Sequence, residues 1–402
     1  MMKIPVVFVF DDEWAIPSSV SIISLLENAQ TDTCYEVFII SRNLGAKKQD
    51  ALKKQFARYH NHTLRIIIIS SEILDKISHF PVTAFFTIDI YIRLFLHHIL
   101  KNHEKVIYCD CDTLILEDLT QIFNQDISSV YLSAVLDIPS NRLIHRGEMT
   151  GFGAKYLGKY INSGFLIMNL GGIRKNGIFN SLEAITIHKY PDQEILNITC
   201  FNSINYLSQK YNFQLSQLEL FDNNEPILDI VDIRDDYYQA VKNPAVIHYT
   251  GAIKPWQAIT ENKFNKMWWE YSTKSAFSEE LYALKEPIES TTCDPYNFES
   301  FLEKNSNSRI ALWGAGVGFK KCFAPLINKK KLDILVVDQD NFNQNIGEIS
   351  VKPLIALNDF KPNFIIIGCG APKSIIETEI QKKFSHLPPI TIITADELLE
   401  SN

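Results

Sequence analysis

The sequence has little of what marks fibrous, low-complexity and cysteine-based metal proteins. Its 402 residues include 16 Gly and 16 Pro, too few for a collagen-like or disordered chain. The seven Cys are an odd number and include no C-x-x-C pair, which argues against a zinc ribbon or a thioredoxin-like motif. We therefore expect reduced thiols and a cytosolic protein.

Long apolar runs and an excess of basic residues are also missing. The runs at 64–69, 85–100 and 363–367 are short or interrupted by charges, so we expect no membrane-spanning helix. The first apolar run meets Asp11 rather than a small-residue cleavage site, which argues against a signal peptide. Lys and Arg total 39 against 47 Asp and Glu, a formal net charge of −8 that argues against nucleic acid as the main partner.

Strands and helices alternate through the first part of the chain. Short apolar runs predict buried strands, and apolar residues at helical spacing predict helices between them. Apolar strands joined through helices are typical of a parallel sheet covered on both faces, so we expect an α/β fold. The predicted strands are 5–10, 35–40 and 64–69, and the predicted helices are 17–29 and 46–59.

The middle of the chain continues this pattern less regularly. The run at 160–170 is typical of a strand that the polar triplet at 162–164 interrupts. Lysines and aromatic residues are mixed at 262–277, where one interpretation is docking at an anionic membrane surface and the other is a helix with its aromatic side chains packed inward. We also predict helices at 87–100, 192–209 and 262–285 and strands at 105–109 and 245–249.

A polar stretch at 286–308 is predicted to be a linker. It divides the chain into a large domain over 1–285 and a small α/β domain over 309–402. For the small domain, the pattern predicts strands at 309–313, 333–337 and 363–367 and a helix at 372–383.

A glycine-rich turn follows the first strand of the small domain. Gly314, Gly316 and Gly318 lie in this turn, and Asp338 ends the next strand, but Phe319 stands where the third glycine of G-x-G-x-x-G belongs. One interpretation is a nucleotide- or dinucleotide-binding enzyme centred on this turn. The other is a Rossmann-like module with a tight turn and no cofactor, and we assign no NAD.

Carboxylates follow two of the predicted strands. Asp11 follows the strand at 5–10, and Asp110 and Asp112 follow the strand at 105–109. In open α/β sheets, ligands bind beyond the carboxyl ends of strands. A spacing of two in extended chain turns both carboxylates to one side, where they favour Mg²⁺ or Mn²⁺. The alternative is a solvated strand end.

Three further side chains are candidates for the same site. His248, in a short apolar strand, is either a structural histidine or a third metal ligand. Lys254 could reach a diphosphate, and Arg93 is expected to pair with a carboxylate or a phosphate. Asp11, Asp12 and Trp14 fit either a nucleotide contact, with the indole on a base, or a helix cap beside a packed tryptophan.

Five segments in order resemble glycosyltransferase family 8, which includes bacterial lipooligosaccharide galactosyltransferases and resembles glycogenin. The resemblance covers about residues 3–275. Trp14 stands where Tyr is more usual, Glu13 where relatives have Asn, and Glu194 where Asp is frequent. The segments are FDDEWA at 10–15, YCDCD at 108–112, INSGFLIMNL at 161–170, PDQEILN at 191–197 and HYTGAIKPW at 248–256.

The resemblance implies a GT-A-type nucleotide-sugar-binding domain with a mainly parallel central sheet, retention of anomeric configuration, and Mn²⁺ or Mg²⁺ as cofactor. The implied metal ligands are Asp110, Asp112 and His248. Residues implied to bind the UDP-sugar are Asp11, Asp12, Trp14, Arg93, Asp110, Cys111, Asp112, Gly251 and Lys254. Residues implied to surround the donor sugar as catalytic groups are Asp137, Asn162, Asp192 and Gln193.

The expected function is therefore transfer of galactose or glucose from a UDP-sugar to a glycan acceptor, in lipopolysaccharide, lipooligosaccharide or other surface glycan synthesis. The acceptor could be lipid-linked, which fits a cytoplasmic protein in peripheral contact with the inner face of the membrane. For the chemistry we favour same-face attack by the acceptor over a covalent intermediate on Gln193, because an amide is a poor nucleophile. A non-catalytic nucleotide-sugar-binding protein is a further alternative.

Overall fold

The computed structural model describes residues 3–81, 87–180, 182, 190–218, 225–250, 254–256, 262–281, 301–302, 304–314, 327, 334–338, 345–346, 348–367 and 373–394. The chain divides into two compact units, Met1–Leu284 and Lys285–Asn402. The predicted linker at 286–308 lies largely outside the described residues. Within those residues, no helix is both long and apolar enough to cross a membrane.

A seven-stranded sheet forms the centre of the first unit, with the strand order β3-β2-β1-β4-β7-β6-β8. The pairs β3/β2, β2/β1, β1/β4 and β6/β8 are parallel, whereas β7 runs antiparallel to both β4 and β6. The sheet is therefore mainly parallel, as predicted. These strands are β1 (Lys3–Val9), β2 (Cys34–Ser41), β3 (His62–Ile68), β4 (Lys105–Cys109), β6 (Leu132–Leu136), β7 (Ile161–Asn169) and β8 (Ile204–Tyr206).

Both faces of the central strands are buried. Along β1, Val6 and Phe8 pack into one hydrophobic cluster, whereas Val7 and Val9 pack into another. Successive side chains of a strand point to opposite faces, so a strand covered on both faces is typically apolar at consecutive positions. This burial explains the uninterrupted apolar run that predicted the strand.

A small second sheet lies at the carboxyl end of β4. It consists of β5 (Thr113–Ile115), β9 (Phe213–Gln214) and β10 (Val246–His248), with β10 in the middle, antiparallel to β5 and parallel to β9. The helices of this unit are α1 (Ala15–Glu27), α2 (Ala46–Phe56), α3 (Ser71–Ser78), α4 (Leu96–Ile99), α5 (Thr120–Phe123), α6 (Ile138–His145), α7 (Leu170–Asn176), α8 (Pro191–Thr199), α9 (Ile227–Ile230), α10 (Arg234–Lys242) and α11 (Lys263–Ser272).

Several predicted elements differ from the structure. The polar triplet at 162–164 does not interrupt β7, and the helix expected over 192–209 ends at Thr199 and is followed by β8. The helix expected at 87–100 is mostly 3-10 helix, Ile88–Phe95, before the single turn of α4. The helix expected at 262–285 ends at Ser272. Along α11, Trp268 is fully buried, in agreement with inward packing of its aromatic side chains.

The second unit contains a six-stranded sheet with the order β13-β14-β12-β11-β15-β16. All of its pairs are parallel except β13/β14, so a small Rossmann-like sheet is present. Of the glycine-rich turn, 315–318 lie outside the described residues, whereas Gly314 has a φ of 104°. The strands are β11 (Ile310–Trp313), β12 (Leu335–Val337), β13 (Asn345–Ile346), β14 (Ile349–Lys352), β15 (Phe364–Ile367) and β16 (Thr391–Thr394), and the helices are α12 (Leu357–Phe360) and α13 (Lys373–Phe384).

Candidate active site

The three predicted metal ligands converge where the two sheets of the first unit meet. Asp110 and Asp112 lie in the turn between β4 and β5, and His248 ends β10, opposite Thr113 of β5. Ligand atoms of the three side chains all lie within 4.8 Å of one another. Carboxylate oxygens suit Mg²⁺ and Mn²⁺, and an added imidazole suits Mn²⁺, so the donor set fits the implied cation.

The imidazole of His248 faces both carboxylates from a tight cradle. Its Nε2 lies 3.2 Å from Asp112 Oδ1 and 3.7 Å from Asp110 Oδ2. Its Nδ1 lies 3.0 Å from Asn212 Oδ1. A Cβ at Gly164 would lie only 2.1 Å from His248 Cε1. A glycine in β7 therefore lets the strand backbone approach the ring.

Lys254 forms an ion pair with Asp112. Its Nζ donates to Asp112 Oδ2 at 2.6 Å and to the carbonyl oxygen of Tyr249 at 2.8 Å. Burial acts to raise the pKa of Asp112, but Lys254 and His248 outweigh burial and hold that pKa well below its usual range. Asp112 is therefore ionised at neutral pH, as a cation ligand must be.

Arg93 is buried between two carboxylates. Its Nη2 donates to Asp110 Oδ1 at 2.8 Å, and its Nε lies 3.1 Å from Asp192 Oδ2. Its Nη1 donates to the carbonyl oxygen of Ser163 at 2.8 Å. Burial acts to lower the pKa of Arg93, but Asp110 and Asp192 outweigh it and raise that pKa. The sequence left either a carboxylate or a phosphate as the partner of Arg93, and in the structure Arg93 pairs with carboxylates.

The residues expected around the donor sugar form one hydrogen-bonded group. Gln193 accepts from the Ser163 backbone N–H at 3.0 Å and donates to Asp137 Oδ2 at 3.3 Å. Asn162 donates to the same Asp137 oxygen at 2.9 Å. The other oxygen of Asp137 accepts from the Ser140 backbone N–H at 2.8 Å and caps α6. Burial raises the pKa of Asp192, although Arg93 opposes the rise.

The carboxylates that follow β1 are engaged within the protein. Asp11 Oδ1 accepts from the backbone N–H groups of Glu13 and Trp14 at 3.0 and 3.2 Å, just before α1 begins. Asp12 accepts from the Gly45 backbone N–H at 2.8 Å and pairs with Lys48 at 3.0 Å. These contacts fit the capping interpretation of this segment.

Trp14 and Cys111 also have partners within the fold. The Trp14 ring meets Trp256 edge to face, with centroids 5.5 Å apart, and the residue is only half-buried. The Cys111 thiol lies 3.3 Å from the carbonyl oxygen of Val9, and burial raises its pKa. Gly251 lies outside the described residues.

A family model described as glycosyl transferase family 8 matches residues 5–260 of the chain. The chain belongs to glycosyltransferase family 8. The protein is thus a glycosyltransferase, and the resemblance seen in the five sequence segments is confirmed.

Three curated relatives are 23%, 26% and 25% identical to this glycosyltransferase over about two thirds of its chain. General stress protein A of Bacillus subtilis is 23% identical over 271 residues, 65% of this chain and 90% of the relative. A protein of Haemophilus influenzae named as a putative glycosyltransferase is 26% identical over 62% of this chain and 72% of its own length. The lipopolysaccharide 1,2-glucosyltransferase of Escherichia coli is 25% identical over 61% of this chain and 71% of its own length.

Solved glycosyltransferase structures share the fold. The bifunctional glycosyltransferase WbbM has a TM-score of 0.60 at 21% identity, over 71% of this chain and 52% of its own. An active-site variant of LgtC has a TM-score of 0.57 at 23% identity, over 68% of this chain and 96% of its own. GlyE of Streptococcus pneumoniae has a TM-score of 0.50 at 18% identity, over 98% of this chain and 91% of its own. The GT-A-type fold predicted for the large domain is confirmed.

Two residues of this family 8 site received no individual role from the sequence. Gly164 contacts the ring of His248, and a glycine inside a strand does signal close backbone approach. Asn212 contacts His248 from a 3-10 turn that directly precedes β9, and no local pattern marks it. Both are recognisable only once β7, β9 and β10 are brought together.

Proposed function

We propose that the protein is a metal-dependent, retaining glycosyltransferase that moves galactose or glucose from a UDP-sugar to a glycan acceptor. The observation that carries this proposal is the cluster of Asp110, Asp112 and His248, whose ligand atoms lie within 4.8 Å of one another. Mn²⁺ or Mg²⁺ held by these residues would supply positive charge opposite the departing diphosphate.

The names of the relatives support the hexose and the acceptor. One is a lipopolysaccharide 1,2-glucosyltransferase, and LgtC is named a galactosyltransferase in a structure with donor and acceptor sugar analogues. We propose by analogy a surface glycan as acceptor, of the lipopolysaccharide type or another, reached in the cytoplasm or at the inner face of the membrane. The analogy is one of family, and site chemistry has to decide the donor.

Charge at the site supports a nucleoside diphosphate ligand. Lys254 lies at Asp112 with an Nζ–Oδ2 distance of 2.6 Å, so a cationic side chain adjoins the proposed metal ligands. Negative charge gathers on the diphosphate as the glycosidic bond breaks, and a fixed cation stabilises that state more than the bound donor. Asp11, Asp12, Trp14, Cys111 and Gly251 are proposed to surround the nucleotide, with the indole on the uracil.

Hydrogen bonding at Gln193 supports same-face attack by the acceptor. Its amide oxygen accepts from the Ser163 N–H at 3.0 Å, and its nitrogen donates to Asp137 at 3.3 Å. An amide held at both ends is poorly placed to become a nucleophile. In the proposed step, the bond from the anomeric carbon to the phosphate oxygen breaks and the bond to the acceptor oxygen forms. The acceptor proton passes to the leaving phosphate.

Calorimetry with UDP, with and without Mn²⁺, tests this proposal. We expect Mn²⁺ to be required for tight UDP binding, and Asp112→Asn to weaken that binding at least tenfold because a charged ligand is lost. The control is Asp32→Asn, which changes an exposed aspartate. A UDP affinity that changes neither on removal of Mn²⁺ nor in Asp112→Asn would contradict the proposal. A screen for UDP release across UDP-sugars then identifies the donor.

A further inference from the structure

We infer that Asn212 is a positioning residue for the proposed metal site. Its side-chain oxygen holds His248 in the orientation that points Nε2 toward Asp110 and Asp112, and in the tautomer that would offer the Nε2 lone pair to a cation bound between the imidazole and these carboxylates. The inference rests on the proposed function, because His248 is a metal ligand only there. Asn212 is fully buried and ends the 3-10 turn Gln209–Asn212, immediately before β9.

The direction of the hydrogen bonds is set by the backbone of β7. The Gly164 N–H can only donate, and its partner at 2.9 Å is a side-chain atom of Asn162, which must therefore be the amide oxygen. The other end of the Asn162 amide lies 2.9 Å from Asp137 Oδ2, where a nitrogen donating to a carboxylate is required. Two independent partners thus fix the orientation of Asn162.

Asn212 passes this direction on to the imidazole. The atom of Asn212 that lies 2.8 Å from Asn162 Oδ1 must be the amide nitrogen, because it faces an oxygen that can only accept. Asn212 Oδ1 then faces His248 Nδ1 at 3.0 Å, so Nδ1 carries the proton. In a neutral imidazole the other nitrogen, Nε2, keeps its lone pair.

The resulting geometry is that of a supported metal ligand. Metal-ligating histidines almost always donate their other N–H to an acceptor that orients the ring, and loss of such an acceptor costs 10- to 100-fold in metal affinity. Here the acceptor is a neutral amide. It orients His248 without adding a further negative charge to a site where Asp110, Asp112 and Asp192 already lie.

The test is a double-mutant cycle read by Mn²⁺ binding in the absence of any donor, with free Mn²⁺ measured by electron paramagnetic resonance. The variants are Asn212→Leu, His248→Ala and the double mutant. Asn265→Leu serves as the matched control, because Asn265 is also buried but lies on α11. Thermal unfolding is measured for every variant.

We expect Asn212→Leu to weaken Mn²⁺ binding about 10- to 100-fold and to have no further effect once His248 is alanine. Asn265→Leu should change thermal stability but not Mn²⁺ affinity. An affinity for Mn²⁺ within about twofold of wild type in Asn212→Leu, or an equal loss with and without His248, would overturn the inference.

A second variant covers the case in which Asn212→Leu does not fold. Asn212→Asp keeps an oxygen acceptor for His248 Nδ1, and full burial against Asn162 Oδ1 favours the protonated carboxyl, which donates to that oxygen as the amide did. The Mn²⁺ affinity of this variant should therefore stay within about threefold of wild type. A loss as large as that of His248→Ala would contradict the role of the acceptor. Wild-type protein that binds neither Mn²⁺ nor Mg²⁺ would refute the proposed function itself. Wild-type Mn²⁺ binding that the Asn212 variants leave unchanged would refute only this inference.

Discussion

Replacing Gly164 by alanine should disable the proposed metal site while leaving the fold intact. The new Cβ would lie 2.1 Å from His248 Cε1, 2.5 Å from His248 Nδ1 and 3.0 Å from Asp110 Oδ2. Carbon atoms in contact need about 3.5 Å, so the ring must withdraw by about 1.4 Å. It cannot then keep both its 3.0 Å hydrogen bond to Asn212 and its 3.2 Å approach to Asp112.

The expected cost has two parts, which separate assays measure. Overpacking a buried position costs about 1–3 kcal/mol of unfolding free energy, so thermal unfolding should shift down by a few degrees. Displacement of a metal ligand should weaken Mn²⁺ binding at least tenfold, as measured by calorimetry without donor. Metal binding should therefore fall much further than stability.

Gly153→Ala is the matched control for this substitution. A Cβ at Gly153 would have no atom within 4 Å, so the same chemical change should leave Mn²⁺ affinity and thermal stability unchanged. If Gly164→Ala binds Mn²⁺ as wild type does, the ring of His248 is not held against the β7 backbone. The reasoning from the close approach would then be wrong.

Three further predictions concern the titratable side chains of Arg93, His97 and Lys254. Arg93→Met should cost about 3–5 kcal/mol in urea unfolding, because the buried Asp192 and the partly buried Asp110 lose their partner. An effect as small as that of Arg234→Met, which changes an ion pair at the surface, would contradict this. Burial lowers the pKa of His97 to about 4. Between about pH 6.5 and 4 the unfolded chain therefore binds a proton that the folded chain does not, so the free energy of unfolding falls as the pH falls. His97→Leu should remove up to about 3 kcal/mol of that loss, as measured by urea unfolding at a series of pH values. An unchanged dependence of the unfolding free energy on pH would refute this. Lys254→Met should raise the pKa of Asp112, because its ion-pair partner is lost. It should also weaken UDP binding at least tenfold in calorimetry while sparing uridine, because the proposed function places this charge opposite the phosphates. Equal losses for both ligands would argue against that role.

Much of the central sheet could be predicted because its strands are buried on both faces. At β1 and β4, every position after the initial Lys3 or Lys105 is buried and occupied by an apolar or aromatic residue, a proline or a cysteine, so local composition was enough. The same reasoning failed at β7, where Asn162 and Ser163 are polar and buried. Their partners, Asp137, Asn212 and Gln193, come from distant parts of the chain, and no local pattern shows that a polar side chain will be satisfied inside a sheet.

In the candidate site, too, some residues could be predicted from the sequence and others could not. Asp110 and Asp112 are visible as a carboxylate pair after a strand, and His248 was already one of two interpretations of a histidine in a short apolar strand before the family segments added their support. The role of Asn212 depends on its hydrogen bond to Asn162, 50 residues earlier in the chain. The role of Gly164 depends on the contact of β7 with His248 of β10. Sequence spacing carries no information about such a contact until the sheet is assembled.

The pairing of β10 with β5 has a consequence for synthesis of the protein on the ribosome. His248 stands opposite Thr113, next to Asp112, although the chain reaches it only after β6, β7, β8 and β9 have been made. A nascent chain that stops before β10 can already pair β1 with β4, yet it carries two carboxylates without their third partner. The proposed metal site is therefore complete only when β10 has joined the second sheet, later than the first pairing of the central strands, because contacts distant in sequence form late.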